Sequence, residues 1–573
     1  MRALGVAAVL ACAALAAAVI PGSGGPRRAV HAGGAERGAA RADPRAGAVG
    51  DTGRGADPRH GALGETSGGA DPRHRAAEDT GGGGADPRAG APLTGGDAPL
   101  VGGGRVSGTP VAVGVGAAPL GAPAPAGFLG LSFEVRDLPT LAADATRGDL
   151  PALLRSLGPG VLRFGGFSAD ERAVWRGPGG LAATARLPGW ATTAIDEADL
   201  AGVAALARET GWRVLLTVNL GHYDPPAAAG EAAAAQKLLG ANLAGIEIGN
   251  EPDLYPRKHL RPPGAGVSAY LPQAAAYRAA IGQAVPGVPI AGPDPSTGLH
   301  GLPWVRGAAV TLHPALLTDH YYPLSSCGER PTISELLSPV VRRSESEMLA
   351  RMVALARAYR TPLRMDEVND ISCEGEPGVS NTFAAALWAL DYTARALAAG
   401  TVGVNFHDLP AQPGTYSPLA APTAGAVAAG ALHAQPEWYG LLAAHALLGA
   451  GPGAQALPTH VAGAAPGELS AHAVRGPGRH LALLLIDYDP PGSPPLAVHL
   501  RLPPGVAGGA VLRLTAPEPA ATAGVRLGGR AVAPDGSWVP GPLPAVSGRP
   551  GALAVQVGAS SAAVVTLQDS PAR

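Results

Sequence analysis

Between positions 128 and 408 the chain passes through eight short apolar runs, each closing on polar residues and separated by Ala/Leu/Arg-rich stretches, and few folds accommodate that alternation. The runs are 128–134, 161–166, 214–219, 245–251, 289–294, 317–322, 363–369 and 402–408. Intervening segments such as 199–210, 268–284, 344–359 and 382–399 carry apolar residues at helical spacing. Strands alternating with helices imply a parallel sheet, and eight is the number that closes it, so the expectation is an α/β protein built on a (β/α)8 TIM barrel. The barrel is expected over 108–435. After Gln435 the helical period fades into short apolar runs split by Pro/Gly turns, which reads as a C-terminal antiparallel β-sandwich over 436–573. Residues 109–115 form a further strand that could join that sandwich.

The chain holds 83 glycines and 58 prolines among 573 residues, but they are unevenly spread. Positions 22–107 repeat Ala-Asp-Pro-Arg from 42, 56, 70 and 85 in a background almost free of large apolar side chains, which cannot offset its ordering entropy. That segment reads as a disordered linker. Before it, residues 1–21 have the charged start, apolar run and small-residue exit of a signal peptide, so the protein is expected to be secreted. An uncleaved N-terminal anchor at the cell surface is the alternative, and the only membrane contact expected. Charged residues make up 15% of the chain and the formal net charge is −2, which excludes the basic surface that nucleic acid requires. Of the 43 Lys and Arg residues only Lys237 and Lys258 are lysines, the bias of a GC-rich coding genome.

Barrel enzymes build their sites at the C-terminal strand ends. Here those ends carry Glu134, Arg163, Asn219, Asn250, Glu251, Asp294, His320, Tyr321, Glu367, His407 and Asp408. Glu251 ends the fourth run and Glu367 the seventh, so the two can face each other across one mouth. Two facing carboxylates are the minimum for glycoside hydrolysis: one protonates the leaving oxygen while the other stays ionised to attack the anomeric carbon. Asn250 supplies an amide for a sugar hydroxyl. Arg163 suits either a substrate contact or a partner for a barrel carboxylate, and His407 either a pocket wall or a satisfied core histidine. Trp388 and Phe383 read as core. Without a His-Glu-x-x-His or paired-Cys pattern, neither a metal nor a cofactor is expected.

The motifs Asn250-Glu-Pro-Asp, His320-Tyr-Tyr, Val404-Asn-Phe-His and Gly378-Val-Ser-Asn-Thr-Phe-Ala-Ala-Ala-Leu-Trp-Ala-Leu-Asp behind Glu367 resemble glycoside hydrolase family 79, the β-glucuronidase and heparanase family. Leu162-Arg-Phe-Gly-Gly and the run 128–134 are similar to its first two strands, so the likeness spans roughly 109–570. The resemblance implies a retaining mechanism with Glu251 as acid/base and Glu367 as nucleophile, and Glu134, Arg163, Asn250, His320, Tyr321 and His407 around the sugar. Tyr321 is the expected hydroxyl on Glu367, with Tyr322 competing because strand alternation points the two opposite ways. The family binds the uronic carboxylate from the loop after the nucleophile. Here that loop has no Tyr and carries Asp370, Glu374 and Glu376, which favours a neutral sugar. Cys327 and Cys373 follow neighbouring strands and are expected to form a disulfide that braces this loop. The leading expectation is an exported β-glucuronidase-like glycosidase acting on a glycoside or polysaccharide. The alternatives are an exo-glycosidase for a neutral sugar and a sugar-binding protein on a degenerate barrel.

Overall fold

The computed structural model describes residues 106–569, apart from 146–147, 297, 464–467, 479, 504 and 548–551. The signal peptide and all but the last two positions of the linker lie outside the described residues. Eight parallel strands close into a barrel: Leu129–Glu134, Val161–Gly165, Arg213–Val218, Leu243–Ile248, Ile290–Gly292, Leu316–Tyr321, Leu363–Val368 and Val404–Asp408. Closure comes from the eighth strand pairing with the first, Val404 opposite Leu129 and Asp408 opposite Phe133. Each of the eight strands overlaps one of the eight apolar runs, and six of them stop one to three residues short of the run's polar end.

Local chemistry sets the helices between them. Helix Glu197–Thr210 begins in a capping box in which the Asp196 carboxylate accepts from the backbone of Asp199, and the Asp199 carboxylate accepts from the backbone of Asp196. It ends on Gly211, whose left-handed φ of 74° suits a residue without Cβ. Helix Phe383–Ala399 is buried on almost every side. Helix Pro436–Leu448 packs against it and is itself nearly all buried.

That last helix corrects the expectation of strands alone after Gln435. A helix apolar all round has no polar stripe to set a period, so its sequence reads as a featureless apolar run. Strands resume at Gln455–Leu457 and build two sheets, one of four strands and one of seven. Strand Thr109–Val115 joins the C-terminal sheets, as its sequence allowed despite the domain boundary drawn at 108: it lies in the four-stranded sheet, parallel to Leu496–Arg501 and antiparallel to Thr459–Gly463. Along Leu481–Asp487 the side chains of Leu483 and Leu485 enter the core between the sheets, while Ala482, Leu484 and Ile486 join the core shared with the barrel helices. Burial on both faces explains the unbroken Leu-Ala-Leu-Leu-Leu-Ile run. Among the described residues no helix is long and apolar enough to cross a membrane.

Candidate active site

The fourth strand carries Glu247 and then Glu251 past its end, both turned toward the barrel axis as period-two alternation requires. Glu251 precedes Pro252 and adopts φ 49°, ψ 55°, a left-handed conformation costly for a side chain before proline. Its backbone N–H donates to the carbonyl of Asp294 at 2.9 Å, which fixes the turn. On the seventh strand the register slips between Met365 and Glu367 against its sixth-strand neighbour. Alternation points Arg364 and Asp366 toward the barrel axis and Leu363 and Met365 out toward the helices, so the irregularity is what turns Glu367 inward beside Asp366.

Arg163 is the hub beneath them, with no exposed surface. Its Nε donates to Glu247 Oε2 at 2.8 Å and lies 3.2 Å from Asp366 Oδ2. Nη1 donates to Glu367 Oε2 at 2.7 Å and to Ser132 Oγ at 3.0 Å, and Nη2 donates to Asn250 Oδ1 at 2.9 Å. Of its two expected roles, Arg163 therefore takes that of partner to the barrel carboxylates. Nη2 also lies 3.3 Å from His320 Nε2. A guanidinium only donates, so Nε2 accepts and the imidazole proton sits on Nδ1. That Nδ1 faces Glu251 Oε1 at 3.5 Å and Glu367 Oε1 at 3.8 Å.

An oxygen of Glu251, a ring nitrogen of His320 and an oxygen of Glu367 all lie within 4.8 Å of one another. Tyr322 donates its hydroxyl to Glu367 Oε1 at 3.0 Å. Tyr321, the favoured residue on sequence grounds, instead stacks on Tyr392 of the seventh-strand helix at 6.0 Å, so the expectation for Tyr321 is corrected: the sixth strand ends on it, and the next residue points into the mouth. His407 Nδ1 lies 3.2 Å from Ser132 Oγ and 3.7 Å from Glu367 Oε2, while its Nε2 is 3.8 Å from Glu134 Oε1. Glu134 is held by the backbone N–H of Ser168 at 2.8 Å. Asn250 Nδ2 is buried with no hydrogen-bond partner among the described residues, which leaves an amide N–H free for a sugar hydroxyl.

The remaining strand-end residues are structural. Asn219 donates to the carbonyl of Ala173 at 3.0 Å, and Asp408 accepts from the backbone of Leu419 at 2.9 Å. Asp170, which the sequence did not single out, accepts at 2.7 Å from the backbones of Leu220, Gly221 and Asn250 and from the Tyr255 hydroxyl, tying the third and fourth strand ends together. Lys258 and Tyr416 were also not foreseen. Lys258 Nζ lies 3.5 Å from Glu251 Oε2, and the Tyr416 ring lies 5.7 Å from Tyr322 and 5.8 Å from His407.

The electrostatics divide the two glutamates. Burial alone would raise the pKa of Glu367, but His407, His320, Arg163 and the Tyr322 hydrogen bond outweigh it and hold the carboxylate ionised far below its usual range. Burial likewise acts upward on Glu251 and is outweighed by the His320 hydrogen bond and Lys258, leaving a net downward shift. His407 moves upward against its burial because Glu367 and Glu134 favour the imidazolium. Below them burial pushes Asp294 up to about 6 and Asp366 well above the carboxylate range.

Two groupings have cation-compatible spacing, Glu251/His320/Glu367 and Asp294/His320/Asp366. Arg163 contacts members of both and already supplies the positive charge there. Cys327 and Cys373 are joined by a disulfide, and Ser326 Oγ, next to Cys327, donates to the carbonyls of Ser372 and Cys373 at 3.0 Å. In the loop after Glu367, Asp370 is wholly buried and its pKa is pushed up to about 7 by that burial.

No protein-family model matches the chain, and no curated protein does. Solved structures match it over about four-fifths of its length. A 4-O-α-L-rhamnosyl-β-D-glucuronidase from Fusarium oxysporum 12S, complexed with Rha-GlcA, superposes with a TM-score of 0.63 at 20% identity, covering 79% of this chain and 100% of the other. The family 51 arabinofuranosidase of Xanthomonas axonopodis pv. citri gives 0.59 at 16% identity, covering 80% and 99%. A family 44 xyloglucanase of Paenibacillus polymyxa gives 0.51 at 12% identity, covering 80% and 100%. At these identities the likeness establishes a shared architecture, the TIM-barrel fold of glycoside hydrolases.

Proposed function

We propose that the protein is a retaining glycoside hydrolase of the β-glucuronidase-like type. The observation that carries this reading is the approach of Glu251 and Glu367 oxygens to within 4.8 Å. Retaining enzymes hold their carboxyl groups about 5–5.5 Å apart, whereas inverting enzymes need roughly 6.5–9.5 Å to admit a water. The resemblance to family 79 in the Asn250-Glu251 and His320-Tyr-Tyr motifs supports the same assignment.

In this mechanism Glu367, kept ionised by Arg163 and His407 and oriented by Tyr322, attacks the anomeric carbon. Glu251 gives its proton to the glycosidic oxygen as the bond to the aglycone breaks. The covalent ester removes the charge of Glu367. Glu251 then accepts a proton from water, whose oxygen attacks the anomeric carbon and frees Glu367. Asn250 Nδ2 meets a sugar hydroxyl and strengthens that bond as the transition state forms. The sugar is a glucuronide by analogy with the family and with the glucuronidase of similar fold. A neutral sugar is the second reading, favoured because Arg163 is saturated by protein partners and its guanidinium is not free for a uronate. Export is part of the proposal, and the Cys327–Cys373 disulfide supports it.

A panel of p-nitrophenyl glycosides, including the β-glucuronide, the α-arabinofuranoside and neutral β-hexosides, tests the reading. Wild type is expected to hydrolyse at least one member, and Glu367→Ala to lose roughly 10³-fold or more of that rate. Retained sugar binding without turnover of any member would instead favour a binding protein.

A further inference from the structure

Lys258 lies in the turn that follows Asn250-Glu-Pro, in a chain that otherwise uses arginine almost everywhere for positive charge. Its ammonium is 3.5 Å from Glu251 Oε2 and 3.3 Å from Glu171 Oε1. Among the described residues these are the two carboxylates within its ion-pair reach. The ring of Phe167 lies 5.9 Å from Nζ. An ammonium has three donors on a flexible stem and can exchange acceptors by a bond rotation, whereas the rigid fork of arginine would stay on one carboxylate.

The other oxygen of Glu251 faces His320 Nδ1. Lys258 on one oxygen and His320 on the other both favour the ionised form of Glu251. That form is the base required when water attacks the glycosyl-enzyme, and the opposite of the acid required when the aglycone leaves. The proton cycle therefore needs a group that can leave Glu251 and return.

We propose that Lys258 is a positioning residue that shuttles between Glu251 and Glu171, resting on Glu171 while Glu251 carries its proton and returning to Glu251 when it is ionised. The proposal rests on the glycosidase reading above. The proton balance is closed: Glu251 takes a proton from solvent in the free enzyme, passes it to the glycosidic oxygen as the C–O bond breaks, and regains one from the water that opens the ester. Lys258 stays an ammonium throughout and transfers nothing. The groups facing Glu251 are His320 and Glu367 from inside the barrel, Asp253 from its own turn, the hydroxyls of Tyr322 and Tyr416, and Lys258; those facing Lys258 are Glu171, Glu251 and, farther off, Asp170. Burial acts to lower the pKa of Lys258, yet Glu251 and Glu171 together raise it, as sharing between two carboxylates requires.

The test compares wild type, Lys258→Met and Glu171→Gln in two readouts. The first is the pH dependence of kcat/KM on a p-nitrophenyl-panel substrate with a poor leaving group, where protonated Glu251 is needed and its titration sets the basic limb. Lys258→Met is expected to move that limb up by about one pH unit, and Glu171→Gln, which removes the resting place, to move it down. A dinitrophenyl glycoside of the same sugar, whose aglycone needs no proton, is expected to show little shift in the glycosylation step. The second readout is a carbon-13 NMR titration of the Glu251 carboxyl, assigned with Glu251→Gln, which needs no turnover. Turnover by wild type with the three basic limbs coincident overturns the proposal, as does an unmoved Glu251 titration in Lys258→Met. Absence of turnover by wild type while the Glu251 titration still moves overturns the glycosidase reading and, with it, the proton cycle.

Discussion

Arg163 Nη1 and Glu367 Oε2 stand 2.7 Å apart in the buried floor of the barrel mouth, and the same guanidinium reaches Glu247, Asp366 and Asn250. One cation thus fixes both the charge and the direction of the nucleophile candidate. Arg163→Lys keeps the charge but cannot span these partners, since a compact ammonium lacks the planar fork. The variant should lose at least about 10²-fold in kcat and on the order of 3–5 kcal/mol of stability, because carboxylates are left buried without a partner. Steady-state kinetics beside a urea melt check this, and a near-wild-type kcat would contradict it.

Tyr322 and Tyr321 are adjacent but face different environments, one on Glu367 and the other on Tyr392. Tyr322→Phe should lower kcat by about ten- to a hundredfold, the range of a hydrogen bond to a charged group. It should also raise the acid limb of the pH profile, because the bond helps to hold Glu367 below its usual pKa. Tyr321→Phe should leave both within a few-fold of wild type. Equal effects from the two variants would remove Tyr322 from the site.

How much of this was legible in the sequence depended on periodicity. All eight barrel strands could be read because each is a short apolar run ending in polar residues, and the strand ends brought Glu251, Glu367, Asn250, Arg163, His320 and His407 together. Asp366 could not be read together with Glu367, because alternation lets only one of two consecutive residues face inward and a slipped register admits both. Tyr416 lies in a loop without any repeat, and Lys258 is placed by a turn. Glu247 was in reach, since period two puts 247, 249 and 251 on one face. Helix Pro436–Leu448 was missed because burial on all sides erased its stripe.

Glu231 lies buried in helix Pro225–Leu239, and burial pushes its pKa up to about 8. Its folded pKa exceeds the unfolded value of 4.5, so its ionisation destabilises the fold: stability is greatest below the unfolded pKa and falls as pH rises between 4.5 and about 8. Glu231→Gln mimics the neutral form. It should match wild type near pH 4.5 and exceed it by roughly 2–4 kcal/mol at pH 8. Denaturant melts at the two pH values decide the point, and an equal gain at both would refute the titration as its cause.

The disulfide Cys327–Cys373 closes a sequence separation of 46 residues across the loops after the sixth and seventh strands. Constraint of the unfolded chain over that length is worth up to about 4 kcal/mol. Cys327→Ser/Cys373→Ser should melt at lower temperature than oxidised wild type and at the same temperature as reduced wild type. Insensitivity of wild type to reductant would contradict this.

The central claim is that Glu367 becomes covalently bonded to the sugar. The most direct measurement is intact-mass and peptide mapping after incubation with 2-deoxy-2-fluoro glycosides bearing good leaving groups, made from the sugar that wild type hydrolyses. The account predicts one added fluoroglycosyl unit on the peptide containing Glu367, absent in Glu367→Gln. Turnover of that sugar with a label on another residue, or with inversion at the anomeric carbon, would contradict it.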